Sequence, residues 1–351
     1  MIKPPQLSAG DSVAIVTPSW GGPAVFPGRY QAGLRQLQSE FDLQPVEMPH
    51  TLADPNWLAA NPQARAADLM QAFADPTIKG IIAAIGGDDS IRLLPYLELD
   101  IIRANPKVFL GYSDTTIQHL ACYKAGLVSF YGPSIMSGFA ENGGLFPYTI
   151  RSLRRTLFSD RPIGELRPNR DGWTVERLEW ADLDNQERRR KLNPSTGWNF
   201  LQGQGRHQGR LIGGCLEVLD WLRGTAFWPS LDEWDGAILF LETSEDAPPP
   251  EAVRYFLRSL AALDVLPRLS GLLFARPGGS VPPADFPRYD LAFLQVVAAE
   301  QGLPDLPVVT GMDFGHTDPM LVLPYGVTAE IDCDLRRVSI LESAVSPRPH
   351  A

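Results

Sequence analysis

The sequence predicts an α/β fold, with a parallel sheet covered by helices on both faces in its first half and more strand near the end of its second half. Two observations carry that expectation. Short apolar, β-branched runs alternate with segments of helical spacing, and the runs stop at glycine, proline or a charged residue. The length of 351 residues is long for one core and favours about two domains.

Taken in order, Ser12 to Val16 reads as a buried strand stopped by Pro18. Tyr30 to Phe41 has helical spacing, with Leu34, Leu37 and Phe41 on one side, and Ala64 to Ala74 is a second helix. Ile78 to Ile85 is a strand ending at Gly86-Gly87, and Val108 to Tyr112 is another, followed by a helix from about Thr115 to Lys124. From about 160 to 205 the alternation fails. Glu187 to Lys191 is an unbroken charge run that reads as a solvated face, and Asn193-Pro194-Ser195-Thr196-Gly197 reads as turns. The expected organisation is an N-terminal domain over 1–160, a linker and loop over 161–205 and a C-terminal domain over 206–345. In the latter, strands are expected at Gly236–Leu241, Leu269–Phe274, Pro307–Thr310, Met320–Leu323 and Thr328–Ile331, with helices at Glu251–Ala262 and Tyr289–Gln301. The tail from Ser346 is expected to be loose.

Composition narrows the function classes. With 44% hydrophobic and 21% charged residues, the chain has the make-up of an ordinary soluble globular protein. A formal net charge of -10 repels phosphate backbones, so nucleic acid is not an expected partner. Cys122, Cys215 and Cys333 are far apart and odd in number, which suggests neither a zinc site nor a disulfide framework. The opening Met-Ile-Lys-Pro-Pro lacks the apolar core of a signal peptide, and no apolar run reaches the roughly 18–20 residues of a membrane span. A reducing cytoplasmic compartment, with no membrane partner, fits these features best.

The strongest local signal is Leu110-Gly111-Tyr112-Ser113-Asp114-Thr115-Thr116, a strand that runs through Gly-x-Ser into a helix. That geometry can hold a nucleophilic serine at a sharp turn, with the following backbone N–H aimed at an oxyanion. The plainer reading is that Ser113 and Asp114 cap the helix. A serine nucleophile needs a base, and there are five histidines. His350 lies in the tail, His50 in a loop, His119 on the helix after Ser113 and His207 in a Gly/Gln/Arg-rich loop. His316, in a turn between two short strands, is the best candidate, although a loop histidine can equally be structural. Glu242 closes the apolar strand Ile238-Leu239-Phe240-Leu241, where a charge is costly unless solvated, paired or functional. Glu245 and Asp246 read as solvated loop charges, and Glu217 as the outward face of an amphipathic helix. Ile85-Gly86-Gly87-Asp88-Asp89-Ser90 lets backbone approach a ligand but lacks the spacing of a dinucleotide fingerprint or a P-loop.

Taken together these segments resemble the LD-carboxypeptidase family of serine peptidases, whose other branch holds the microcin C immunity peptidases. The likeness includes Gly10 to Ser19, Ile85-Gly86-Gly87, Asn105-Pro106-Lys107 before Gly111-Tyr112-Ser113-Asp114, and Tyr131-Gly132-Pro133. It continues through Gly213-Gly214, Gly224-Thr225, Leu241-Glu242, Gly315-His316 and Leu323-Pro324-Tyr325-Gly326. The resemblance implies an N-terminal doubly wound, flavodoxin/Rossmann-like parallel-sheet domain and a C-terminal β-rich α/β domain with the site between them. It implies Ser113 as nucleophile, Glu242 and His316 as its partners, and an oxyanion held by the backbone N–H of Asp114 and of Gly86 or Gly87. It also implies a homodimer with no metal and no organic cofactor.

The loop carrying Asp88 and the long segment through Asn193 to Trp198 favour the microcin-immunity branch, which makes Asp88 and Trp198 candidate substrate contacts. Trp198 could stack on a nucleobase, or could simply pack between domains. Cys215 stands where asparagine is usual, and Thr243-Ser244 where an acidic residue is usual. The leading expectation is hydrolysis of an amide near a free carboxylate in a small peptide or peptide-nucleotide. The alternatives are murein-tetrapeptide LD-carboxypeptidase activity and, from another class, a non-catalytic two-domain ligand binder.

Overall fold

The structure is a computed structural model and describes residues 1–348. Its first strands in chain order are β1 (Ser12–Val16), β2 (Gln44–Glu47), β3 (Ile78–Ala83), β4 (Val108–Gly111) and β5 (Ser129–Tyr131). The next are β6 (Gly164–Leu166), β7 (Asn199–Gln202), β8 (Arg206–Cys215), β9 (Ile238–Glu242), β10 (Gly271–Ala275) and β11 (Val308–Met312). The last are β12 (Leu323–Tyr325), β13 (Thr328–Asp332) and β14 (Arg337–Ile340). They form a six-stranded sheet in the order β12-β5-β4-β3-β1-β2 and an eight-stranded sheet in the order β6-β14-β13-β8-β9-β10-β11-β7.

In the first sheet β2, β1, β3, β4 and β5 are parallel, as the alternation of strands and helices predicts. These strands are apolar because the central ones are covered on both faces: every residue of β4, and all but the first of β1, is buried. The helix Pro27–Phe41 begins with proline in its first turn and turns its Tyr30, Leu34, Leu37 and Phe41 face inward. The second sheet is mixed. Its core, β8-β9-β10-β11, is parallel, and β13, β14, β6 and β7 add to it antiparallel.

Four expectations differ from what the fold shows. The segment 161–205 carries two strands of the second sheet, because β6 pairs with β14 and β7 with β11. The strand expected at Met320–Leu323 lies at Leu323–Tyr325 and pairs with β5, so the second half of the chain completes the first sheet. The helix expected over Tyr289–Gln301 starts at Phe286 and widens to π geometry over Leu294–Glu300. Ser346 is docked rather than loose, its N–H donating to Pro4 O at 2.8 Å and its carbonyl accepting from Gln6 N–H at 3.0 Å. His350 lies outside the described residues. Among the described residues no helix is long and apolar enough to cross a membrane.

The parallel strands decide where a site can form. Ligands of open α/β sheets bind beyond the carboxyl ends of the strands. Gly86 and Ser113 follow β3 and β4, Cys215 and Glu242 close β8 and β9, and His316 follows β11. Both sheets therefore deliver these residues from carboxyl ends. Thr116 helps hold the two ends together, since its hydroxyl donates to Ser113 O at 2.7 Å and accepts from Cys215 N–H at 3.1 Å.

Candidate active site

Ser113 occupies the turn between β4 and the helix Thr116–Lys124 at φ 63°, a left-handed conformation that costs a serine energy. Its Oγ lies 3.1 Å from His316 Nε2, and His316 Nδ1 lies 2.6 Å from Glu242 Oε2. Glu242 is fully buried. Its other oxygen accepts from the Tyr131 hydroxyl at 2.5 Å, and that hydroxyl accepts from the Ser113 N–H at 3.0 Å. Burial and the neighbouring Glu242 push the Tyr131 phenol well up, so it remains a neutral donor. The three residues singled out from the sequence thus meet in one hydrogen-bonded line, and Tyr131 closes a ring back to the Ser113 backbone.

Two glycines are dictated by close approach. A Cβ on Gly86 would stand 3.0 Å from Ser113 Cβ and 3.1 Å from its Oγ, filling the space before the Asp114 amide. Gly315, at φ 78°, lets the backbone before His316 pass Glu242, whose side chain a Cβ would meet at 2.6 Å. Gly87, at φ 148°, lies against Ser19, and Asp88 lines the cleft. The Asp114 carboxylate accepts from the N–H groups of Asp89 at 3.1 Å and Ser90 at 2.8 Å, tying the glycine loop to the Ser113 turn.

A cleft of about 1100 Å³ opens over Ser113 and His316. Its floor includes Gly86, Tyr112 and Cys215, and one wall comes from the segment Val175–Trp180. Trp180 is half-buried there, with Phe26 edge-on at 5.6 Å and the Arg29 guanidinium 5.0 Å from its ring centre.

Trp198, expected as a substrate contact, is not part of the cleft. It is only 8% exposed, and its indole N–H donates to the buried Asp313 carboxylate at 2.7 Å, so the packing alternative holds. Two charged groups read as solvated are also corrected, and a third has a partner that the sequence did not suggest. Glu217 turns toward the site, where it accepts from Ser244 N–H at 3.0 Å and Ser244 Oγ at 2.6 Å. Glu245 is exposed as expected, yet its Oε2 lies 3.0 Å from His316 Nε2. Arg190, from the charge run, is largely buried and pairs with Glu141 and, at 2.7 Å, with Asp318. Each of these partners is remote in sequence, so a local pattern carries no sign of them. Tyr131 did stand within a segment that marked the resemblance, but nothing in it indicated a bridging hydroxyl.

Electrostatics separate His316 from the other histidines. Burial disfavours its charged form, but Glu242 and Glu245 outweigh that and push it up to about 10. The hydrogen bond from His316 in turn holds Glu245 down at about 2. His119 is pushed down to about 4 by burial; its ring lies between Ser129 Oγ and Gly111 O and serves the core. Burial and Glu242 raise the Cys215 thiol well above its ordinary value, which leaves it protonated and poorly nucleophilic. Among the described residues no group of three or more His, Cys, Asp or Glu could hold a metal ion.

Comparison with known proteins matches residues 13–132 to the LD-carboxypeptidase N-terminal domain and residues 208–331 to the LD-carboxypeptidase C-terminal domain. The chain is 30% identical over 348 residues to the Escherichia coli microcin C7 self-immunity protein MccF, covering 97% of this chain and 96% of that one. A structure of MccF with aspartyl sulfamoyl adenosine superposes with a TM-score of 0.84 at 28% identity, covering 99% of this chain and 100% of that one. An MccF-like protein from Streptococcus pneumoniae in complex with AMP also gives 0.84, at 32% identity and 94% and 98% coverage. A Bacillus subtilis protein named probable murein peptide carboxypeptidase is 27% identical, with 98% and 95% covered.

Proposed function

The chain belongs to the LD-carboxypeptidase family of serine peptidases, and from that premise we propose that Ser113, His316 and Glu242 are its catalytic triad and an aminoacyl- or peptidyl-nucleotide amide its substrate. The observation that carries the triad is the line Ser113 Oγ, His316 Nε2, His316 Nδ1, Glu242 Oε2, with both contacts at hydrogen-bond length. Ser113 Oγ attacks the scissile carbonyl while His316 Nε2 takes its proton. Glu242, held by Tyr131, fixes the imidazole so that Nδ1–H points at the carboxylate. The amide N–H groups of Asp114 and of Gly86 or Gly87 receive the oxyanion, in the space that glycine at 86 keeps open. The protonated imidazole then gives its proton to the leaving nitrogen, and water hydrolyses the acyl-enzyme by the same steps reversed. No metal or organic cofactor enters this scheme.

Trp180 supports the nucleotide part of the reading. It presents a flat ring to the cleft on a wall that murein stem peptides, which have no planar base, would leave unused. The relatives solved with AMP and with aspartyl sulfamoyl adenosine point the same way. Side-by-side hydrolysis of an aminoacyl-sulfamoyl adenosine and of a murein tetrapeptide tests it. Faster turnover of the nucleoside is expected, and turnover of the tetrapeptide alone contradicts the reading in favour of the murein branch. A cytoplasmic location and a homodimer belong to the same proposal. Three free cysteines fit a reducing compartment. Light scattering on the eluting protein tests the dimer.

A further inference from the structure

His316 Nε2 lies between two oxygens, Ser113 Oγ at 3.1 Å in hydrogen-bond geometry and Glu245 Oε2 at 3.0 Å in ion-pair contact. One ring nitrogen offers either one N–H or one lone pair. To act as a base toward Ser113 it must present the lone pair, whereas toward a carboxylate it must present the N–H. The two roles exclude each other. With Nδ1–H on Glu242 and a proton on Nε2 stabilised by the Glu245 charge beside it, the ring is an imidazolium and cannot take the serine proton.

The two carboxylates differ in freedom. Glu242 is fully buried at the end of β9 and held by Tyr131. The Glu245 side chain, in the turn that follows β9, is 47% exposed, and its other cationic neighbour is the exposed Arg177 at 3.6 Å. Tyr112, with its ring centre 5.0 Å from that of His316, is kept neutral by burial, and among the other titratable groups along the cleft Asp318 is already paired with Arg190 and Cys215 is kept protonated by burial. Glu245 is therefore the partner of His316 that a ligand can reach and take away.

We infer that Glu245 is a substrate-released clamp on His316, and that the free ammonium of an aminoacyl substrate is what releases it. This rests on the triad and aminoacyl readings above. In an aminoacyl amide the α-nitrogen lies about 2.5 Å from the carbonyl carbon that Ser113 attacks, by bond lengths and angles alone. A substrate poised for attack thus carries its cation into the space that Glu245 borders. The ammonium pairs with the carboxylate, and Nε2 loses the contact and the part of the negative field that Glu245 supplied. Its proton passes to solvent, and the lone pair turns to Ser113. Glu217 and Asp246, also along the cleft, add negative potential that favours the same cation. An acyl group whose nitrogen is blocked has nothing to offer Glu245 and meets a protonated base.

The test has two arms on the full-length protein, with Glu245→Gln and Glu245→Ala as variants. The first follows the labelling rate of Ser113 by a neutral fluorophosphonate across pH, which needs no knowledge of the substrate. In the wild type labelling should climb only on the alkaline side. In both variants the climb should move down by about one pH unit or more, the usual effect of removing an opposite charge in contact. Unchanged labelling profiles overturn the clamp. The second arm compares aminoacyl-sulfamoyl adenosine with its N-acetyl derivative. The preference in kcat/KM for the free amine should be at least about tenfold in the wild type and fall below about threefold in the variants, with the blocked compound gaining rate. An undiminished preference in the variants overturns the release step. If the labelling shift is found and neither compound is cleaved by any form, the clamp on His316 stands, while release by an aminoacyl ammonium falls with the proposed substrate class.

Discussion

Ser113 holds a backbone conformation that costs about 1–3 kcal/mol, and its surroundings pin it there through Tyr131 OH on its N–H and Thr116 Oγ1 on its carbonyl. Tyr131 spans both ends of the proposed triad, because the same hydroxyl donates to Glu242. Tyr131→Phe should therefore lower kcat by about 10–100-fold with little change in KM, as expected when a positioning hydrogen bond of about 1.5–3 kcal/mol to a charged group is removed. Equal losses in KM would show that the phenol contacts substrate instead. The two tryptophans should separate cleanly. Trp180→Ala should raise KM for an aminoacyl nucleotide about 5–150-fold, the range that stacking energies imply, and leave a plain dipeptide untouched. Trp198→Ala should instead destabilise the fold by about 3–5 kcal/mol in denaturant titrations, since it empties a buried site and removes a donor from Asp313. Ser113, Glu242 and His316 were legible because each stands at a break in a local pattern: a strand-to-helix turn, a charge closing an apolar strand, a loop between strands. Trp198 misled because a glycine-preceded tryptophan in a polar stretch reads as surface, and its carboxylate partner lies over a hundred residues away.

Among the elements, β4, β9 and the turn after β11 do most to build the site. Glu242 lies opposite Cys215 in the β8–β9 register, so the last pair of that ladder sets Cys215 at the cleft and Glu242 buried beside it, behind His316. Gly315 shows how tightly these elements are matched. An alanine there would push its Cβ to 2.6–2.7 Å from three Glu242 side-chain atoms at a φ that only glycine takes readily. Gly315→Ala should cut kcat/KM by about 100-fold or more by parting Glu242 from His316, a loss that steady-state kinetics would detect. The ladder was readable in sequence where strands are apolar on both faces, as in β1, β3, β4, β9 and β10. The edge strands β2 and β7 carry polar, half-exposed residues, so periodicity did not find them. Segment 161–205 read as linker for the same reason, although it supplies β6, β7 and the cleft wall with Trp180.

At the scale of the whole molecule the chain does not separate into sequential halves. β12 leaves the second half to pair with β5 of the first sheet. The hydroxyl of Tyr325, on β12, accepts from Gly213 N–H on β8 at 3.0 Å, and its ring stacks on His119 at 5.6 Å. Heating should therefore give one cooperative calorimetric transition, and two resolved transitions would mean that the halves unfold independently. This interleaving also explains why the site is deep: carboxyl ends from both sheets meet over one cleft, with His316 only 7% exposed. The overall α/β class was legible from the order of the elements, whereas the strand exchange depends on a three-residue segment whose sequence says nothing about which sheet it joins. The most direct test of the account is single-turnover hydrolysis of an aminoacyl-sulfamoyl adenosine by the wild type and Ser113→Ala, with the acylated peptide identified by mass spectrometry. The account predicts an acyl adduct on Ser113 and a loss of about 10⁴–10⁶ in rate for a variant that melts as the wild type does. Hydrolysis persisting in Ser113→Ala, or an adduct on any other residue, would contradict it.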